Sequence, residues 1–336
     1  MTMTEQDILK KIINSFNNIR IAVIGDLILD VYLWGDASKI SQEAPVPVLR
    51  VNRRTERLGG AANVMCNITT LGGLAYAFGV LGDDENASAL EKLLDAYKIN
   101  RNGVLRDKSR ITTEKQRVIA ASQQLLRIDH EVTNEISSSM KESLLRSIKK
   151  AIANKEIDAI IFEDYAKGVL DSSLASEITA LAVDAGITVG IDPHPEHPLN
   201  ISGITLMTPN KSEAFGLAGI YQYPVDSPEE EFELLKKVAF NIQKKWNPKY
   251  LLITLGAKGM ALFEENSEPI VIPTKAREVF DVSGAGDTVI AAFSLALLAG
   301  AKPMEAVEIA NMAAGIVVGK VGTVSVEKDE LLNFSI

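Results

Sequence analysis

Short, continuously apolar segments recur along this chain with longer amphipathic stretches between them, and that alternation constrains the fold more than any other feature. Residues 21–25 (Ile-Ala-Val-Ile-Gly), 75–80, 157–162, 187–191, 204–207 and 250–255 read as buried strands. Helical periodicity falls at 60–71, closed by Gly72-Gly73, and at 87–97, 172–185, 230–246, 286–299 and 303–318. Strands that are apolar throughout, separated by helices, predict a mostly parallel sheet covered on both faces. The chain has 336 residues and shows no linker, repeat or low-complexity tract. Residues 1–336 are therefore expected to form a single α/β domain.

Two regions break the rhythm. Residues 45–52 (Pro-Val-Pro-Val-Leu-Arg-Val-Asn) alternate with period two, and so do 112–121 and 123–128, which read as a hairpin around Ser122. Half-buried antiparallel strands have this pattern. A small second sheet, a β lid built from about 31–58 and 111–129, is the expectation. The same stretches are locally basic: Arg50, Arg53, Arg54 and Arg57 in one, and Arg106, Lys108, Arg110, Lys115 and Arg117 in the other.

Composition narrows the class. A net charge of −9 argues against non-specific nucleic-acid binding, although it leaves room for a small anionic substrate in one cleft. The single cysteine, Cys66, allows no intrachain disulfide, reads as packing, and fits a reducing compartment. The apolar run at 289–301 falls short of the roughly 20 residues that span a bilayer, and the start of the chain lacks a signal-peptide core. A cytoplasmic protein without membrane partners is expected.

The strongest chemical signal is Phe280-Asp-Val-Ser-Gly-Ala-Gly-Asp-Thr-Val, a small-residue turn running straight into an apolar helix. Gly284, Ala285 and Gly286 free backbone N–H groups at a helix start, which makes an anion site. Asp287 lies in its middle, where a carboxylate would repel a phosphate unless it takes a proton from an attacking hydroxyl. An ordinary glycine turn with an aspartate cap would look the same locally. Two nucleotide motifs are excluded. Val289 stands where a dinucleotide fingerprint needs its third glycine, and 315–321 is one spacer short of a P-loop. Upstream, Gly25-Asp26 follows the first strand and Gly59-Gly60-Ala-Ala-Asn63 opens the first long helix, a set able to hold polyol hydroxyls. His194 and His197 have no third ligand nearby in sequence and are not read as a metal site.

Together, Gly59-Gly60-Ala-Ala-Asn63 and Asp281-Val-Ser-Gly-Ala-Gly-Asp287-Thr resemble the ribokinase-type carbohydrate kinase family over essentially the whole chain. Residues 25–30 (Gly-Asp-Leu-Ile-Leu-Asp), 40–48, 123–129, 164–168 (Asp-Tyr-Ala-Lys-Gly) and 208–210 look like the heptose-7-phosphate kinase branch. The resemblance implies a ribokinase-like, doubly wound α/β fold and ATP-dependent phosphorylation of the anomeric hydroxyl of heptose 7-phosphate, in ADP-heptose precursor synthesis. Asp287 would be the base and Gly284, Ala285 and Gly286 the anion hole.

Asn210 and Glu213 match an Asn-x-x-Glu motif that handles Mg²⁺ through water near the ATP phosphates. Thr254, Gly256 and Gly259 match the nucleotide-lining stretch, and Asn311 an adenine-side residue. Asp26, Gly59, Gly60 and Asn63 match sugar contacts. Asp164, Lys167, Lys115 and Arg117 are further substrate candidates, the last two for the substrate's own phosphate. Asp281 and Ser283 match a loop that holds a monovalent cation, K⁺, in many members. The lid implies a homodimer.

Departures from the branch are Gln42 and Leu58 for proline, Ser283 for threonine, and His194 for lysine. The last leaves other sugars or a nucleoside open as substrate, with a non-catalytic sugar-binding regulator as the rival outside enzymes. The 336 residues contain no half resembling a nucleotidyltransferase, which fits either a single-function kinase or part of a longer protein.

Overall fold

The computed structural model describes residues 4–120, 123–221, 227–265, 267–276 and 278–334. The turn expected at Ser122 lies outside them. The chain opens with α1 (Glu5–Asn14), whose first turn is closed by a reciprocal Thr4–Asp7 capping box. It then enters β1 (Arg20–Gly25). Two long strands, β2 (Leu27–Ile40) and β3 (Pro47–Gly60), run directly into α2 (Ala61–Thr70). Next come β4 (Leu74–Gly82), α3 (Glu85–Ala96) and β5 (Asn100–Asp107). The pair β6 (Thr113–Ala120) and β7 (Gln123–His130) precedes α4 (Ser138–Ala153). Alternation resumes with β8 (Ala159–Glu163), α5 (Ser172–Asp184) and β9 (Thr188–Asp192). Then follow β10 (Leu206–Met207), α6 (Lys211–Leu217), α7 (Pro228–Trp246) and β11 (Tyr250–Thr254). The chain closes with β12 (Met260–Glu264), β13 (Ile270–Ile272), α8 (Ala285–Leu298), α9 (Pro303–Val317) and α10 (Lys328–Leu332).

The main sheet has nine strands in the order β13-β12-β11-β10-β9-β8-β1-β4-β5. It is parallel from β11 to β5, and the β12–β13 edge is antiparallel. Period-two alternation divides β1 between two cores. Ile21 and Val23 pack with Met65, Val289 and Phe293, whereas Ala22 and Ile24 pack with Phe162, Ile178 and Ile242. This is the doubly wound α/β architecture expected from the sequence. The chain winds outward from β1 through β4 and β5, and through β8 to β11 on the other side. The crevice at the carboxyl ends of β1 and β8 is thus a topological switch point, where such sheets bind ligands.

The second sheet has the order β3-β2-β6-β7, spanning 27–60 and 113–130, slightly wider than the lid read from the pattern. Its central register places Asp30 opposite both Arg57 and Lys115, and Tyr32 opposite Arg117. Alternation therefore puts Asp30, Tyr32, Lys115 and Arg117 on one face. That face is tied to the domain: the Tyr32 hydroxyl accepts from Thr323 N at 2.8 Å, and Arg57 Nη1 donates to Thr323 O at 2.6 Å.

Candidate active site

Asp287 sits in the first turn of α8, at the carboxyl-end crevice. The helix begins at Gly284, which has φ 79° and ψ 6°, a left-handed conformation open to glycine. A Cβ on Gly284 would lie 2.7 Å from Asn63 Nδ2, so the turn also needs the missing side chain. Gly286, by contrast, has no positive φ, and a Cβ there would meet only Asp192 Oδ2, at 3.6 Å. The constrained glycine is the first of the motif.

Asn63 reaches Asp287 because the chain turns sharply into α2 at Gly60, with φ 56° and ψ −138°. Asn63 Nδ2 donates to Asp287 Oδ2 at 2.6 Å. The other carboxylate oxygen, Oδ1, accepts from the Tyr165 hydroxyl at 3.0 Å. Burial raises the pKa of Asp287, and these two donors pull it back down. Asp30 of the lid adds to the rise, while Lys115 opposes it.

Glu163, at the end of β8, and Asp192, at the end of β9, complete an acidic floor. Each of Glu163, Asp192 and Asp287 offers a carboxylate oxygen within 4.8 Å of the others. Burial first, then the neighbouring carboxylates, push both Glu163 and Asp192 well above the usual range. Glu163 Oε2 and Thr208 Oγ1 are buried with no hydrogen-bond partner among the described residues. A hard cation is the ligand for which such an oxygen-rich set is suited.

Every residue expected on the ATP side lines one cavity of about 900 Å³ with Asp287 and Gly284–Gly286: Asn210, Glu213, Thr254, Gly256, Gly259 and Asn311. Asn210 and Glu213 form a capping box on α6, with Asn210 Oδ1 accepting from Glu213 N at 3.0 Å and Glu213 Oε2 from Asn210 N at 2.8 Å. Asn311 Nδ2 donates to Pro273 O at 2.7 Å. Asp281 accepts from Ser283 N at 2.9 Å and from Gly322 N at 3.0 Å, which folds the loop before α8.

The substrate-side residues divide. Asn63 reaches the site, Gly60 packs beside Asp26 O and Ile28 at the turn into α2, and Gly59 leaves room for Asp30, whose Oδ2 would lie 2.6 Å from a Cβ there. Asp26 turns its carboxylate instead to the backbone of Tyr165, Lys167 and Val169. Asp164 is held by Ala166 N at 2.9 Å and His197 Nδ1 at 2.7 Å. Lys167 Nζ pairs with Glu131 at 2.8 Å. Arg117 pairs with Asp30 at 2.6 Å, both side chains well buried. Lys115 is different: its ammonium lies 5.1 Å from the centre of the Tyr165 ring and makes no ion pair among the described residues. Burial lowers its pKa.

Asp30, Glu163, Tyr165 and Asp192 were not read from the sequence. Carboxylates at the ends of β8 and β9 were the available signal, and Asp30 closes the same Gly25–Asp30 stretch that drew attention to Asp26.

The model of the pfkB family carbohydrate kinase matches residues 18–329. The chain is 42% identical over 319 residues to the bifunctional protein HldE of Desulfatibacillum aliphaticivorans, covering 95% of this chain and 63% of that protein. Against HldE of Sulfurimonas denitrificans, identity is 41% over 321 residues, covering 96% and 65%. The chain thus spans a little under two thirds of the length of these relatives. Among solved structures, Arabidopsis thaliana ribokinase complexed with ribose and ATP aligns with TM-score 0.70 at 21% identity, covering 95% of this chain and 100% of that one. Escherichia coli phosphofructokinase-2 in complex with substrates and products aligns with TM-score 0.75 at 20% identity, covering 94% and 97%. Both likenesses establish the ribokinase-like fold. No helix among the described residues is long and apolar enough to cross a membrane.

Proposed function

The chain belongs to the pfkB family of carbohydrate kinases, and on that premise we propose that it transfers the γ-phosphoryl group of ATP to the anomeric hydroxyl of heptose 7-phosphate. The observation that carries the reading is the buried Asp287 carboxylate, set among the N–H groups of an anion-binding helix start. The sugar hydroxyl gives its proton to Asp287 as its oxygen attacks the γ-phosphorus in line. The bond to the β-phosphate oxygen breaks, leaving ADP and a sugar bisphosphate. The Ala285 N–H, expected in the anion hole, is instead given to Val282 O at 3.2 Å, so the amides of Gly284 and Gly286 are the ones left to meet the charge that develops on the transferred group.

Asn210, Glu213, Thr254, Gly256, Gly259 and Asn311 form the nucleotide side of the cavity. Glu163 and Asp192 are suited to Mg²⁺, with Glu213 in the same cavity to meet it through water, and the orphaned Glu163 Oε2 supports that fit. A divalent ion there would offset phosphate charge. Asp281 and Ser283 form the loop assigned to K⁺.

On the sugar side, Asp30 and Asn63 meet hydroxyls, and Lys115, the uncommitted cation of the lid face, meets the 7-phosphate. Arg117 is already committed to Asp30. The heptose class is supported by the branch motifs and by the HldE relatives. Exposed Ile40, Val46 and Leu126 on the lid, at 62%, 51% and 55%, support a homodimer through that sheet. Release of ADP measured across plain sugars, nucleosides and sugar phosphates tests the assignment. The heptose 7-phosphate should give the highest kcat/KM. A better plain sugar or nucleoside moves the protein to another substrate class, and no ADP from any of them makes it a binder.

A further inference from the structure

Asp26 is 2% exposed and gathers three backbone N–H groups of one turn. Its Oδ2 accepts from Tyr165 N at 2.9 Å and Lys167 N at 3.0 Å, and its Oδ1 accepts from Val169 N at 3.3 Å. The turn is locally strained: Ala166 has φ 54° and Gly168 has φ 86°. A left-handed alanine persists where its surroundings over-determine it, and a buried carboxylate facing converging amides does so. Asp164 adds a fourth restraint, with Oδ1 accepting from Ala166 N at 2.9 Å.

What this turn presents to the reaction centre is Tyr165. Its hydroxyl donates to Asp287 Oδ1 at 3.0 Å while Asn63 holds Oδ2 at 2.6 Å. The Lys115 ammonium lies over the ring face, 5.1 Å from its centre. With one donor on each oxygen, the carboxylate is held in a single orientation.

We propose that Asp26 and Tyr165 are positioning residues for the base: Asp26 fixes the 165–169 turn, and the turn aims the Tyr165 hydroxyl so that Asp287 is held ready for the sugar hydroxyl. The inference rests on Asp287 being that base. It gives Asp26 a role through the protein backbone, distinct from the sugar contact expected from its place in the sequence.

Steady-state kinetics on Tyr165→Phe, Asp26→Asn and the double variant test it. Loss of one hydrogen bond to a charged group should lower kcat roughly 10–100-fold in Tyr165→Phe. KM for ATP and for the sugar phosphate should stay within about twofold, since the bond serves the transition state. Asp26→Asn should lower kcat similarly, and the double variant should be little worse than either single one, because both act through one contact. Tyr165→Phe keeps the ring and decides the matter if Asp26→Asn fails to fold. Unchanged kcat in Tyr165→Phe, or a raised sugar KM with intact kcat in Asp26→Asn, would overturn the proposal. Substantial turnover by Asp287→Asn would instead overturn the base assignment beneath it, and that variant is measured separately.

Discussion

Asn63 and Asp287 stand 224 residues apart in the chain, yet the amide of Asn63 donates to Asp287 Oδ2 at 2.6 Å across the mouth of the crevice. The two helices that carry them begin at glycines with positive φ, conformations that other residues adopt only under strain: Gly60, before α2, and Gly284, before α8. The two family motifs are thus the two halves of one contact, each bending the backbone so that a side chain in the helix's first turn meets the other.

That arrangement separates the glycines of the turn. Gly284→Ala places an alanine at φ 79°, with its Cβ 2.7 Å from Asn63 Nδ2. The backbone strain alone costs about 1–2 kcal/mol, so both melting temperature and turnover should fall. Gly286→Ala meets only ordinary contact. It should keep the wild-type melting temperature while slowing turnover, because a methyl group there crowds the transferred phosphate. Full activity in Gly286→Ala would mean that the turn does not cradle it.

The lid cations should likewise behave differently. Lys115→Ala should raise KM for the phosphorylated sugar roughly 10–100-fold, the range for a lost charged hydrogen bond, and leave KM for a plain sugar unchanged. Arg117→Ala strands the buried Asp30 carboxylate and should chiefly lower the melting temperature. Equal loss of phosphate preference in the two variants would contradict the assignment of Lys115.

Stability should depend on pH in an unusual direction. Asp26, Glu163, Asp192, Glu213 and Asp287 all have pKa values raised above the ordinary 3.8 and 4.5, with burial the leading cause. A raised pKa means the folded state holds protons that the unfolded chain has released. The stabilisation is complete below the ordinary carboxylate values and is lost as pH rises through the raised ones. Melting temperature without added metal should therefore fall as pH rises above the ordinary carboxylate range. Mg²⁺ should restore it more at the upper end. A flat profile, or equal Mg²⁺ effects at both ends, would contradict an acidic metal floor.

The lid should bring two copies together. Val46→Asp, in the bend that leads into β3, or Leu126→Asp, on β7, each at an exposed apolar position of the lid, should shift the protein from dimer to monomer in sedimentation velocity. A wild-type monomer at micromolar concentration with full activity would dismiss the clasp.

Much of this was legible in the chain because it is written in local pattern. Apolar runs at 21–25 and 187–191 become β1 and β9, and period two at 112–128 becomes the β6–β7 pair. Edge strands were harder: β5 carries Asn100, Arg101 and Asn102 at the sheet margin, where only one side needs apolar residues. The partners of each side chain were not local at all. Asp26 and Asp30 lie four residues apart after one strand, and only the turn at 165–169 decides which of them faces the backbone and which the cleft. Tyr165 reaches Asp287 from another strand end, and neither position announces the other in sequence.

The central claim is that Asp287 takes the proton of the sugar hydroxyl, and the most direct measurement compares wild type with Asp287→Asn in ADP formation from ATP and heptose 7-phosphate. Removing a positioned base should cut kcat by roughly 10²–10⁴-fold, with ATP binding by calorimetry and melting temperature preserved. An Asp287→Asn protein that folds, binds ATP and turns over within a few-fold of wild type would contradict the account.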